Sequence, residues 1–215
     1  VKIKKADKEY NQYAFVNAIE TYEKVAEKGY KSVELFQKLG NAYYFQGKLE
    51  DANKWYVELF NMNQSVEAEY YFRYAQTLKA VGDYKKADQI MAEFNAKNSS
   101  DLRGKLAKSQ SDYLTEIKKN SGRYKVENAG INSQFSDYGT AFYKDEIVFT
   151  SARDSSGVSG RKHSWTNQSY TNLYSATKSD DNNLGAPEKF SNSVASKYHE
   201  STPAFTKDGN TMYFT

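Results

Sequence analysis

The sequence predicts an α + β multidomain chain, helical repeats first and short antiparallel strands after, on three observations. Small residues recur every 34 to 35 positions through the first hundred residues, as Ala18, Ala52 and Ala87. Helical spacing of apolar residues stops near Tyr124, where short alternating segments separated by Ser, Asn, Asp and Gly clusters take over. Two of those later segments match one another at a distance of 63 to 65 residues.

Composition narrows what such a chain can do. Its 215 residues leave room for one large domain or two small ones. Only 39% are hydrophobic, but 19 Tyr and 12 Phe supply large buried areas. The net charge is +3, with +4 up to residue 123 and −1 after it, too little for the concentrated basic face of a nucleic-acid binder. Absence of cysteine excludes disulfides, thiolate catalysis and thiolate metal sites. No apolar run approaches the roughly 18 residues of a membrane span, so the chain is not expected to span a membrane. Val1 is not an initiator Met and no signal-peptide pattern opens the chain. The expectation is a leader removed or left out upstream, and a chain incomplete at both ends.

The helical part repeats most clearly in "VELFQKLGNAYYFQGKLEDANKWYVELFNMNQ". Phe36, Leu39, Gly40 and Tyr43 mark one helix, Gly47 a turn, and Ala52, Tyr56 and Leu59 a second helix. The next unit repeats it with Tyr71, Tyr74, Ala75, Leu78, Gly82, Ala87, Met91 and Phe94. Twelve residues before each repeated alanine stands another small residue, Ala6, Gly40 or Ala75, and four after it a bulky one, Tyr22, Tyr56 or Met91. Small residues at those two places let antiparallel helices cross closely, while the bulky ones fill the groove between repeats. The pattern resembles the tetratricopeptide repeat, with about three copies over residues 1–98. It departs in two ways: Tyr13 replaces the turn glycine of the first repeat, and the helix-ending Pro is missing. A linking and capping helix is expected over 99–122, about Asp101 to Lys119. Its N-cap would be Ser99 or Ser100, its stripe Leu102, Leu106, Tyr113 and Ile117, and its end Ser121-Gly122.

From 123 to 215 the segments read as strands. "EIVFTSARD" is a strand leaving into a loop, and "TNLYSATK" and "APEKFSN" flank a "SDDNNLG" turn as a hairpin. Residues between Arg153 and Tyr170, with His163 and Trp165, read as a long surface loop. "SDYGTAFYKDEIVFTS" parallels "HESTPAFTKDGNTMYFT", Phe142 aligning with Phe205 and Phe149 with Phe214. Four short strands per unit of that length suggest the blades of a β-propeller, one blade and the start of a second, incomplete here.

"PAFTKDGNTMYFT" closely resembles the WD40-like PD40 propeller motif. A tetratricopeptide array, one linking helix and PD40-type blades, in that order, resemble the Bacteroidetes OmpA-family envelope proteins. The matching stretches are "KKADKEYNQYAFVNAIETYEKV", "INSQFSDYGTAFYKDEIVFTSARD" and "YHESTPAFTKDGNTMYFT". The resemblance implies a periplasmic, outer-membrane-associated adaptor that is not an enzyme. It implies a PorP/SprF-type barrel or another envelope subunit as partner, with PorE-like roles in type IX secretion and gliding. Peptidoglycan would be bound through a C-terminal OmpA-like domain that this sequence does not contain. Two alternatives stay open: a propeller-capped serine peptidase fragment, and a TolB-like envelope-binding module.

No residue pattern points to catalysis, a cofactor or a metal. His199-Glu200 lacks the second histidine of a zinc-protease helix, and "GVSGR" lacks the spacing of a nucleophile elbow. In "DDNNLG" the alternate calcium ligands would be Asp180, Asn182 and Leu184, with no acid at Ser191, and a hairpin turn explains it better. The tetratricopeptide resemblance instead places partner-binding residues on the concave face of each repeat's first helix. They are Asp7 and Tyr10, then Glu34, Gln37, Asn41 and Tyr44, then Glu69, Phe72, Gln76 and Lys79. The loop residues His163 and Trp165 join the candidates, because exposed Trp is a frequent hot spot, although Trp165 could simply pack on its own hairpin.

Overall fold

Three antiparallel helix pairs carry the first part of the chain. They are α1 (Lys2–Asn11) with α2 (Phe15–Ala26), α3 (Val33–Phe45) with α4 (Leu49–Asn61), and α5 (Ala68–Ala80) with α6 (Tyr84–Lys97). The structure, a computed structural model, describes residues 2–109, 112–153, 162–179 and 183–215. Two compact units result: Val1–Arg123 with Ser164–Thr166, and Tyr124–His163 with Asn167–Thr215.

In the first unit every expected small position is buried. Ala6, Ala18, Ala52, Ala75 and Ala87 have no exposed surface. Gly40 shows why the place must be small: a Cβ there would lie 2.6 Å from Tyr56 Cδ1, and closer still to Cε1. Each pair turns on a left-handed residue, Tyr13, Gly47 or Gly82, with φ of 58°, 73° and 82°. Tyr13 adopts the glycine conformation at a cost of about 1–2 kcal/mol. Its ring compensates by stacking on Trp165, centroids 5.6 Å apart, and by meeting Phe15 edge-on at 6.0 Å. Helix starts follow ordinary chemistry: Ser32 Oγ accepts from Leu35 N at 3.1 Å, and Asp83 Oδ1 from Lys86 N at 3.1 Å.

The expected single linking helix is instead two, α7 (Leu102–Ser109) and α8 (Tyr113–Asn120), on either side of residues 110–111. Of its expected apolar stripe only Tyr113 is half-buried, 6.5 Å from the Tyr84 ring. Leu102, Leu106 and Ile117 are 66%, 46% and 61% exposed. Gly104 sets the face instead, since a Cβ there would come 3.2 Å from the Asn95 backbone and nearer its side chain. Close approach at Gly104 turns the leucines outward. The cap is Asp101, whose Oδ1 accepts from Arg103 N at 2.9 Å, and not Ser99 or Ser100.

The second unit is built of antiparallel strands. β1 (Asp137–Tyr143), β2 (Glu146–Ser151), β3 (Asn172–Thr177) and β4 (Glu188–Lys189) form one sheet in chain order. β5 (Ala204–Phe205) and β6 (Met212–Tyr213) form a second, two-stranded one. The expected hairpin pairs Tyr174 with Lys189 and Ser175 with Glu188, and its turn at 180–182 lies outside the described residues. β2 is buried on both faces. Ile147 and Phe149 pack with Tyr174 and Ala176, while Thr150 Oγ1, on the opposite face, accepts from Thr202 N at 3.0 Å. Phe205 of the second sheet lies 4.3 Å from Tyr143 and 5.9 Å from Phe190, ring to ring. The repeat is visible in the register: Phe142 faces Ile147 as Phe205 faces Met212.

Candidate functional site

The first helix of each pair is tied to the next by polar side chains. Lys38 on α3 donates to Asp7 Oδ1 on α1 at 2.7 Å and to Glu34 Oε1 at 2.6 Å. Asp7 also accepts from the Tyr22 hydroxyl at 2.6 Å. Burial alone would raise the Asp7 carboxyl, yet the Lys38 and Tyr22 bonds hold it below its ordinary value. Lys38 is pushed up in turn: burial opposes its charge, and its two carboxylates outweigh burial.

Asn41 is the hub of the next step. It is 6% exposed, and its Oδ1 accepts from the Tyr56 hydroxyl at 2.8 Å and from Arg73 Nη1 at 2.7 Å. Its Nδ2 donates to the Tyr70 hydroxyl at 3.4 Å. Tyr10 faces the same amide; burial raises its phenol, and a bond with Asn41 partly offsets that. Arg73 comes from α5, and its guanidinium lies 4.9 Å from the Phe45 ring, 5.8 Å from Tyr44 and 5.9 Å from Tyr70.

Between α5 and α7 the link is Arg103. It holds Glu69 with two nitrogens, at 2.8 and 3.3 Å, and Asp101 at 2.9 Å. The same guanidinium covers the Phe72 ring at 4.2 Å, while Phe72 packs on Phe94 at 5.6 Å.

The twelve expected residues therefore separate into groups. Asp7 and Glu34 meet through Lys38; Tyr10, Asn41 and Tyr44 gather around Arg73; Glu69 and Phe72 share Arg103. Gln37 donates to Glu67 Oε2 at 3.3 Å, and Lys79 lies 4.3 Å over the Tyr113 ring. Gln76 and Tyr44 are half-buried. Asn41 is buried beneath this face, and Phe72 is half-buried under the Arg103 guanidinium. His163 and Trp165 lie elsewhere. The His163 ring sits in the second unit beside His199 at 5.1 Å and Tyr170 at 5.7 Å. Trp165 belongs to the first unit, not to its own hairpin. Its indole N–H donates to the Phe45 carbonyl at 2.9 Å, and its ring meets Phe15 edge-on at 5.0 Å. Residues 154–161 of that loop lie outside the described residues.

Sequence reasoning missed Lys38, Tyr70, Arg73 and Arg103. One signal was present: Lys38 and Arg73 each hold the sixth place of their helices. Among the described residues no three metal-ligating side chains converge. The face offers stacking, hydrogen bonds and two guanidinium groups, those of Arg73 and Arg103.

No family model matches the chain, and no curated protein matches it by sequence. Among solved structures it is similar to the C-terminal part of a TPR repeat-containing protein from Cytophaga hutchinsonii, at 18% identity and a TM-score of 0.44. The similarity covers 55% of this chain and 45% of that one, so the chain spans less than half of the protein it matches. The helical repeat rests on its own geometry and not on that likeness.

Proposed function

We propose that the chain is a non-enzymatic scaffold that holds a segment of another protein on the face of α1, α3 and α5. Arg73 is the observation behind it. An arginine fixed by Asn41 and flanked by Tyr44, Phe45 and Tyr70 is a cation and an aromatic surface already in position. Tyr and Arg dominate protein contacts, and side chains ordered beforehand lose little entropy on binding. The test is Tyr44→Ala with Gln76→Ala. Recovery of the partner should fall at least about tenfold, a loss of roughly 1.4 kcal/mol, with the helical unit still folded by circular dichroism at the assay temperature. Undiminished recovery refutes the assignment.

We further place this scaffold in the periplasm, as an OmpA-family component of an outer-membrane complex, with a PorP/SprF-type barrel or a type IX secretion or gliding subunit as partner. Peptidoglycan would be reached through an OmpA-like domain outside this sequence. Two features support this: helix pairs come first and a 63- to 65-residue strand repeat follows, and Phe205 of the second sheet packs on Tyr143 and Phe190. Intact mass and peptide mapping of the native protein test it. A mass near the 24.6 kDa of this chain contradicts it, and peptides of an OmpA-like region support it.

A further inference from the structure

The α1–α2 turn and the end of α3 make an aromatic notch, and Trp165 fills it. Phe15 is the floor, 1% exposed, with the Phe45 ring stacked on it at 5.8 Å. Tyr13 is the wall, its ring 5.6 Å from the indole and tilted only 12° from it. Phe45 ends α3, where a helix leaves carbonyls without a partner of its own, and its carbonyl accepts the indole N–H at 2.9 Å. Val16 N donates to the Ser164 carbonyl beside it at 3.3 Å. Apolar faces for the rings and one acceptor for one N–H are the complement of a tryptophan side chain.

Notch and occupant are each built by their own bonds. Ser164–Thr166 form the tip of a turn in which His163 N donates to the Gln168 carbonyl at 2.9 Å and Asn167 N to the His163 carbonyl at 2.8 Å, with Lys162 bridged to Ser169. Those three tip residues are grouped with the helices. The notch keeps an open side, since Tyr13 is 61% and Phe45 39% exposed. The later turns use Gly47 and Gly82 where the first uses Tyr13, at a φ of 58°. A tyrosine held in a glycine conformation is strain that the turn itself does not need, and here it supplies the stacking wall.

We propose that this notch is a binding site for a tryptophan presented at the tip of a tight turn, occupied in cis by Trp165 and open by exchange to the same element of a partner protein. The cis turn is then an internal competitor. At the roughly millimolar effective concentration of a tethered segment, it admits only partners that bind more tightly than it does. The inference does not rest on the face of α1, α3 and α5.

The test uses the whole chain with Trp165→Ala, which vacates the notch. The probe is an octapeptide copying Lys162–Ser169 with 5-fluorotryptophan at its centre, followed by fluorine NMR. The Trp165→Ala chain should bind it, and the parent about tenfold more weakly, because its own turn competes. Adding Tyr13→Gly removes the wall while relaxing the turn. That chain should remain folded by circular dichroism and lose binding at least about tenfold. A competing octapeptide with benzothienylalanine, in which sulfur replaces the indole N–H, should bind about threefold to tenfold more weakly than its tryptophan counterpart, the value of one net hydrogen bond. No binding to Trp165→Ala, equal binding by the parent, binding that survives Tyr13→Gly, or an unweakened benzothienyl peptide overturns the inference.

Discussion

Arg73 Nη1 lies 2.7 Å from Asn41 Oδ1, an arginine of the third helix pair bonded to an amide of the second. The same oxygen takes the hydroxyl of Tyr56, a side chain with no exposed surface. One buried amide thus joins two helix pairs and holds a guanidinium in position. Asn41→Ala should cost about 2–3 kcal/mol in denaturant unfolding, because it strands the buried Tyr56 hydroxyl and a half-buried guanidinium. In a double-mutant cycle, Asn41→Ala and Arg73→Ala should be coupled by about 1–3 kcal/mol. Additive losses would mean that the two do not act together.

Gly40 and Tyr56 carry the closest helix crossing. Gly40→Ala gains helix propensity, about 1 kcal/mol, yet pushes a methyl into a ring with nowhere to go. Overpacking of this kind costs about 1–3 kcal/mol, so net destabilisation is expected. Urea unfolding of the variant decides the sign.

Tyr13 is held in a glycine conformation by its stack on Trp165. Tyr13→Gly in a Trp165→Ala background should therefore stabilise, by about 1 kcal/mol, since only the backbone cost remains to be removed. In the parent the same change should gain less or lose stability. Equal effects in both backgrounds would show that the stack contributes nothing.

Asp137 sets an acid limit for the second unit. Burial would raise its carboxyl, but bonds from Ser151, Ser133 and Arg153 bring it down to about 2. A depressed folded pKa adds stability that is present above the unfolded value of about 3.9 and is lost as pH falls through the folded one. Asp137→Asn should thus be less stable than the parent at pH 6, with the gap closing between about pH 4 and 2. Melting curves across that range measure it, and a constant gap would contradict the linkage.

The steric rules of the fold were legible in the residues; the polar ones were not. Ala18, Ala52 and Ala87 announce helix crossings because only small side chains fit there, and Tyr13 announces a turn because it stands where Gly47 and Gly82 recur. Asn41 reads as an open groove residue because its ninth place is polar. Its burial depends on Tyr56, Tyr70 and Arg73, which other helices bring to it. Leu102, Leu106 and Ile117 make a convincing stripe, but Gly104, not the leucines, determines which face packs. Trp165 finds Phe45 across 120 residues, a partner that no local pattern encodes.

Docking of a partner on the face of α1, α3 and α5 would bring it against Tyr44 and Gln76. A photoreactive phenylalanine analogue at Tyr44 or Gln76, and as control at Lys54 on the exposed side of α4, tests it in cells making the native protein. A partner should be crosslinked from positions 44 and 76 and none from 54. Crosslinks from 54 alone, or equally from all three, would contradict it.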